Sequence, residues 1–453
     1  MNTLLLKVVH YLNKQRHLIC RLESTKELLM TCSHEHQNLL LTLENKSAQA
    51  IANTLEKHPI TFTLPQQFYN DADVFQVEME QIFYKEWLFV GVTGEIPDKG
   101  SFITLNIGDN PITVIRDQHG EVRAFHNTCR HRGSKICLVK QGKVPKLVCP
   151  YHQWTYELDG NLLYAGTEMG DDFVKSDFGL HSVNCRVAGG YIFVSLSDNP
   201  TNIDGFLDDL THYLEPYDLD NCKVAFESTL IEDVNWKLVI ENNRECYHCN
   251  ANHPELMNSL LEWDDTEDPR ASDEFKAQVA AKQAMWEEQG IPYKHVSHGH
   301  GFRNRIVRMP LLEGTVSMTI DGKAGCKKLM GRIKNPDLGS MRILHLPNSW
   351  NHAMADHVVA FQILPLGPQK TQVTTKWLVH KDALEGVDYD VDQLRRVWDA
   401  TNMQDKMLAE NNQKGINSMA YQPGPYSTRY EFGVVNFIDW FSNTMQKNIN
   451  TKP

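Results

Sequence analysis

Two Cys–His pairs, Cys129-Arg-His131 and Cys149-Pro-Tyr-His152, stand 17 residues apart in a stretch of short alternating segments. Such a C-x-H and C-x2-H pattern requires two tight loops held side by side, which a small β-domain of hairpins can provide. The flanking residues fit that demand. SFITLNI (101–107), PITVIR (111–116) and VRAFHN (122–127) alternate apolar and polar residues, with a Gln118-His119-Gly120 turn between the last two. KLVCPY, HQWTYEL (closed by Asp159-Gly160) and GGYIFVSL read as further strands. The change of texture at Gly94 sets the expected β-domain at residues 94–205, preceded by an amphipathic helix in 61–93 on which Phe75, Met79, Ile82 and Phe83 share a face.

Two cysteines and two histidines can close one tetrahedral zinc shell. They can also divide between two irons, as in a Rieske [2Fe–2S] centre, with both thiolates on one iron and both imidazoles on the other. In that arrangement each loop contributes one Cys and one His, which is the arrangement of Cys129/His131 and Cys149/His152. CRHRG and CPYHQWTYELDG lie on loops of a β-domain, not beside a finger helix, so the cluster is the expected occupant and structural zinc the alternative. Imidazole ligation places such a cluster at roughly −150 to +300 mV, suited to passing single electrons.

Residues 206–453 have a different grain. Helical patterns near 203–215, 236–250, 272–289 and 391–412 interleave with strands expected near 314–320, 341–347, 357–364 and 371–380, an α+β domain with an antiparallel sheet. Within it ENNRECYHCNANH (241–253) holds two Cys, two His and two Glu. A mononuclear iron that activates O2 is held by two His and one carboxylate, leaving other positions open. His248 and His253 are five residues apart, about 140° around an unbroken helix, so the helix must distort near Asn250-Ala-Asn-His-Pro254 for both imidazoles to converge. Leu394, Val397, Trp398, Thr401 and Leu408 form an apolar stripe that also carries Asp405. A carboxylate on such a stripe is costly unless paired or metal-bound, so Asp405 is the expected third ligand, with a Lys- or Arg-paired Asp as the alternative. Cys246 and Cys249 are expected to pack behind the site. Cys32-Ser-His34-Glu-His36 and the His295/His298/His300 group are taken as chance clusters.

The spacing C-x-H-x17-C-x2-H followed by Asn235-Trp-Lys and E-x2-H-x4-H, over residues 60–450, resembles the α subunits of Rieske non-haem iron oxygenases. NWKLVIENNRECYHC, HPELMNSLLEWDD, MGRIKNPDLGSMRILHLP and AENNQKGINSMAYQPGPYS are more narrowly similar to the members that act on quaternary ammonium compounds, glycine betaine foremost, with carnitine, choline and proline betaine as alternatives. The resemblance implies a Rieske β-domain joined to a helix-grip catalytic domain. It implies a homotrimer in which the cluster of one subunit faces the iron of its neighbour, with Glu245 as the bridging carboxylate where most of the family has Asp. It also implies a separate flavin and iron–sulfur reductase drawing on NADH, and oxidative N-demethylation with O2. A quaternary ammonium offers no hydrogen bond and is held by aromatic faces. Trp263, Trp350, Phe361 and Tyr421 are candidates for the cation, and Arg303, Arg305 or His352 for a betaine carboxylate.

A net charge of −12 argues against a nucleic-acid binder, and the chain contains no run of 18 apolar residues. With no signal-peptide pattern in MNTLLLKVVHYLNKQRHLIC and ten scattered cysteines, a cytoplasmic protein is expected, with residues 1–60 an appended extension. A non-catalytic Rieske carrier fused to a ligand-binding domain is the rival from outside the enzymes. The purified chain should be red-brown, with Rieske absorption and about three irons per subunit, two plus one. Metal analysis that finds only zinc would remove both centres.

Overall fold

The structure is a computed structural model that describes residues 47–260 and 271–451. Most of the extension expected over residues 1–60, the Cys32/His34/His36 cluster and Trp263 lie outside the described residues. Residues 47–57 are helical. Thr54–Pro453 form one compact unit, described from here on.

The β-domain holds β1 (Leu88–Val92), β2 (Ser101–Ile107), β3 (Asn110–Arg116), β4 (Val122–His126), β5 (Gln141–Lys143), β6 (Leu147–Val148), β7 (Thr155–Tyr156), β8 (Leu162–Tyr164), β9 (Ser182–Ala188) and β10 (Tyr191–Ser195). One sheet runs in the order β1-β10-β9-β4-β3-β2-β5, and a small second sheet in the order β6-β7-β8. Phe102, Ile115, Phe125, Trp154 and Tyr156 pack together beneath the Cys–His loops. The domain begins before Gly94: β1 pairs antiparallel with β10, Leu88 opposite Val194. LFVGV is buried along its whole length, so it lacks the alternation that marks a half-exposed strand. Of the residues expected to form an N-terminal helix of the catalytic domain, a single turn, Gln67–Asn70, then α1 (Ala72–Glu78) and a π-helical turn, Met79–Phe83, are helical.

α2 (Asp204–Leu214) leads into the second domain. Its sheet has the order β11-β17-β16-β15-β14-β13-β12, antiparallel throughout, from β11 (Cys222–Glu232), β12 (Val296–His298), β13 (Asn304–Met309), β14 (Ser340–His345), β15 (Ser349–Ala353), β16 (Val358–Gly367) and β17 (Lys370–His380). Among the described residues five α-helices accompany it: α3 (Trp236–Asn243), the single turn α4 (Cys249–Asn252), α5 (Asp273–Glu288), α6 (Val391–Ile416) and α7 (Phe432–Asn450). The strand expected at 314–320 is a series of turns closed by Val316 N–H on the Gly322 carbonyl at 2.7 Å. The real neighbour of β14 is β13, NRIVRM, which is mostly buried and carries no alternating polar signal.

The two domains are joined by polar groups that are themselves buried. Asn348 both donates to the Phe89 carbonyl and accepts its N–H, each at 2.9 Å. Glu95 pairs with Lys376 and Glu86 with Arg303, both at 2.5 Å and both nearly enclosed. Behind α3, Lys237 meets Glu78 at 2.6 Å with neither side chain exposed, while Trp236 Nε1 donates to the same carboxylate at 2.8 Å. Burial pushes Glu78 up and Lys237 down, each toward its neutral form, and their mutual attraction opposes both shifts. Removing one partner leaves a lone buried charge, so Lys237→Met is expected to cost about 3–5 kcal/mol in urea unfolding. The double change Glu78→Leu with Lys237→Met should recover much of that loss; a single variant as stable as the parent would contradict the pairing.

Candidate active site

The two cluster loops are built alike. Cys129 N–H donates to the Ser134 carbonyl at 2.9 Å and Gly133 N–H to the Cys129 carbonyl at 2.9 Å. In the second loop Cys149 N–H donates to the Trp154 carbonyl at 2.8 Å and Gln153 N–H to the Cys149 carbonyl at 3.1 Å. Both loops take a left-handed residue at the same place, Gly133 (φ 76°) and Gln153 (φ 59°). Glycine meets that demand without strain; Gln153 holds it against a steric cost that the loop closure must offset. The result brings His131 and His152 to a ring separation of 4.6 Å and stacks His131 on Trp154 at 4.9 Å. Cys129 and Cys149 are buried beneath, with the Tyr156 hydroxyl 3.2 Å from the Cys129 sulfur. Burial, reinforced by the neighbouring Cys149 thiol, raises the Cys129 pKa. His131 Nδ1 is buried with no hydrogen-bond partner, and His152 is exposed at the rim. Two buried thiols, an orphaned imidazole nitrogen and a second imidazole beside it form a donor set that fits a [2Fe–2S] cluster.

In the second domain α3 ends at Asn243, earlier than the expected helix. His248 and His253 bracket the single turn α4 as its N- and C-cap residues. The break lies on both sides of that turn, and it lets the imidazoles face each other with Nε2 atoms 3.0 Å apart. Asp405 on α6 brings Oδ1 to 3.0 Å from His253 Nε2 and 3.4 Å from His248 Nε2. Three donors at right angles around an ion, each about 2.1 Å from it, stand ~3.0 Å apart. The observed triangle has that size, so it fits one iron on a His–His–carboxylate face.

The far side of each imidazole is also held. His248 Nδ1 meets Glu245 Oε1, and Glu245 Oε2 accepts the backbone N–H groups of Tyr247 and His248. His253 Nδ1 meets Gln404 Oε1 at 2.8 Å, and Gln404 donates to Glu255 at 2.8 Å. Such contacts set ring orientation and tautomer. Burial works against charge on His248, but Asp405 and Glu245 outweigh it and push its pKa up to about 9. Burial likewise opposes charge on His253, where Asp405 carries the pKa upward. The negative charge that draws protons onto these rings also favours a cation at their common focus.

Cys246 and Cys249 form a disulfide and are not packing thiols, because the turn into α4 folds one back over the other. Cys249 Sγ lies within 4.8 Å of both imidazole donors, but its disulfide leaves Asp405 as the anionic donor there. The His295/His298/His300 group disperses onto separate partners: Arg305, Asp209 and Asp439. Leu408 is only half-buried; Asn402 and Ala409 complete the buried stripe of α6.

A cavity of about 160 Å³ opens between the triad and the sheet. Of the substrate candidates, Trp350, Arg305 and His352 line it. Phe361 stacks behind Trp350 at 5.1 Å, Arg303 is engaged with Glu86, and Tyr421 bonds to Thr63 and the Leu64 carbonyl instead. Trp398 and Arg342 line the cavity although sequence reasoning did not single them out as substrate contacts. Trp398 could have been found from its place on the Asp405 stripe. Arg342 sits in a strand whose cavity-facing residues only pairing reveals.

Residues 86–170 match the Rieske [2Fe-2S] domain, and residues 212–447 match the ring hydroxylating alpha subunit (catalytic domain). The chain belongs to the ring-hydroxylating α-subunit family. Membership brings a Rieske cluster and a mononuclear iron as cofactors and makes the chain the oxygenase component of a system with a separate reductase. This α subunit is 65% identical, over 88% of its length and 93% of the other's, to the glycine betaine monooxygenase oxygenase subunit of Pseudomonas aeruginosa strain UCBPP-PA14. It is 60% identical to that of Chromohalobacter salexigens, over 89% and 90% of the two chains. Its fold is shared with the quaternary ammonium Rieske monooxygenase CntA in complex with L-carnitine (TM-score 0.64, 21% identity, 87% of this chain and 98% of that one). It is shared equally with naphthalene 1,2-dioxygenase from Rhodococcus sp. (TM-score 0.62, 21% identity, 90% and 99%). The α+β architecture expected from the sequence, a Rieske β-domain with an antiparallel-sheet catalytic domain, is the family's architecture.

Proposed function

We propose that this α subunit oxidatively demethylates glycine betaine, releasing formaldehyde and dimethylglycine, with O2 and with electrons from NADH through a flavin and iron–sulfur reductase. The observation that carries the reading is the His248–His253–Asp405 triangle facing a cavity with aromatic walls, in a chain 60–65% identical to glycine betaine monooxygenase oxygenase subunits. Cys129, His131, Cys149 and His152 hold the cluster, and His248, His253 and Asp405 hold the iron. When bound, the cluster supplies single electrons and the iron supplies O2 activation.

The protein's own residues then have defined tasks. Glu245 and Gln404 fix the two imidazoles so that both Nε2 lone pairs meet Asp405. The cavity, enclosed by Trp350, Trp398 and Leu344, presents a methyl group to that focus and keeps bulk water away. After hydroxylation of the methyl group the hydroxyl proton is lost and the C–N bond breaks, its electron pair becoming the lone pair of the tertiary amine while the carbon leaves as formaldehyde.

The exposed position of His152 and Tyr151 on the cluster rim supports electron transfer out of its own chain, and Glu245 at the cavity mouth supports receipt from a neighbour in a homotrimer. Among the described residues no helix is long and apolar enough to cross a membrane.

Two measurements test this reading. Asp405→Asn and His253→Ala are expected to lower iron from about three to about two per chain and to leave the Rieske absorption intact. Retention of all the iron would dismiss the triad. With NADH and a cognate reductase, formaldehyde should appear from glycine betaine ahead of carnitine, choline or proline betaine; release from one of those amines alone would reassign the substrate within the class.

A further inference from the structure

The register of the catalytic sheet sorts the cavity floor by chemistry. Arg305 stands opposite Leu344, Leu344 opposite Trp350, and Trp350 opposite Phe361. In the next row Val307 stands opposite Arg342, Arg342 opposite His352, and His352 opposite Val359. Residues two apart on a strand share a face, so both rows belong to one surface, the one beneath the metal triad. Along this surface the guanidiniums occupy β13 and β14, and the aromatic rings occupy β15 and β16.

α6 completes the aromatic half from above. The Trp398 ring lies 4.7 Å from His352 and 5.0 Å from Phe361. Trp398 is two turns before Asp405 on the same face, with Thr401 between them, and all three line the cavity. The aromatic walls therefore stand beside the metal triad. Arg342 is the cation next to them: it pairs directly across the strands with His352, whose ring touches Trp398. Arg305 is on β13, one strand further from the aromatic half, and donates to His295 Nε2 at 3.0 Å.

We infer that this floor is a two-part betaine subsite, in which Trp398 and Trp350 hold the trimethylammonium beside the triad and Arg342 takes the carboxylate. This inference rests on the proposed demethylase function and adds to it the determinant of substrate choice. A permanent cation without an N–H is attracted by ring faces, whereas a carboxylate is best met by a guanidinium. Arg342 thus selects for an amine that carries an acid group over one that carries a hydroxyl, such as choline. Arg244 also lines the cavity, from the end of α3, opposite the sheet rows.

Equilibrium titration of the iron-loaded, oxidised protein with glycine betaine and with choline tests the assignment without turnover. Unaltered protein should bind glycine betaine more tightly. Arg342→Met and Arg342→Gln should each weaken glycine betaine about 10- to 100-fold, leave choline where it was, and so erase the preference. Trp398→Leu should weaken both amines, and Trp398→Phe should restore most of the loss. Retained preference for glycine betaine in both Arg342 variants, or undiminished binding of both amines by Trp398→Leu, would overturn the subsite. If the unaltered protein released formaldehyde from glycine betaine while Arg342 proved silent, only the subsite would fall. If it bound and demethylated neither amine, the proposed function would fall and take the subsite with it. Rieske absorption and iron content of each variant establish that it is folded, and the paired substitutions at each position keep one unfolded variant from deciding the outcome.

Discussion

Two side chains of α6 accept backbone N–H groups at the junction between β11 and α3, and the geometry of the His248–His253–Asp405 triangle depends on them. Glu410 takes the N–H of Asp233 at 3.0 Å, and Gln413 takes the N–H of Asn235 at 2.9 Å. Asn235 in turn caps α3 by accepting Lys237 N–H at 3.0 Å. These bonds fix the register of a 26-residue helix against the element that leads to His248 and His253. A one-residue slip of α6 would turn Asp405 about 100° away from the imidazoles, so these bonds, of which the one between Gln413 and Asn235 is buried and costly to leave unmade, set where Asp405 meets the two rings.

The same strategy recurs where the two domains meet. The backbone of β1 is gripped by Asn348 and by Gln362, whose side chain donates to the Phe89 carbonyl at 2.9 Å. His345 Nε2 lies 2.8 Å from the Trp87 carbonyl, and burial, with the nearby Arg303 charge, lowers its pKa to about 3, so it is a neutral ring there. Polar contacts of this kind specify a single docking geometry, which a purely apolar interface of the same area would define less sharply. An electron-transferring domain and a metal-bearing domain in one chain need such definition.

Legibility in the sequence followed the range of the interaction. The cluster loops could be read because every determinant is local: Cys and His identity, the turn at Gly133, and alternating strands on either side. Asp405 was legible through helix periodicity, since a carboxylate on an apolar stripe has few inexpensive explanations. β1 and β13 were not legible, because strands buried on both faces lose the alternation that marks them. Trp263, Phe361 and Tyr421 looked equivalent to Trp350 as aromatic candidates. Only the tertiary packing separates Trp350, which lines the cavity, from Phe361, which stands next to it on the same sheet surface one strand further on, and from Tyr421, which bonds elsewhere. The disulfide between Cys246 and Cys249 likewise depended on the turn into α4, which the helix expected over 236–250, distorted only from Asn250 on, did not contain.

By itself the amino-acid order determined which donors the chain can offer: two Cys–His loops of a composition that suits a cluster, and two imidazoles and a carboxylate of a kind that suits an iron. Side-chain donor type and short spacing depend on covalent neighbours alone, and they survive any later folding. The tertiary structure decided where the donors converge and what faces them: the triangle with sides of 3.0, 3.0 and 3.4 Å, the sorting of guanidiniums and aromatic rings across one sheet surface, and the bonds that lock α6 to α3. The convergence on Asp405 and the bonds between α6 and α3 join residues more than a hundred positions apart and the sheet surface joins residues tens of positions apart, and strand register and helix rotation, set by burial and by backbone hydrogen bonding, are what bring them together.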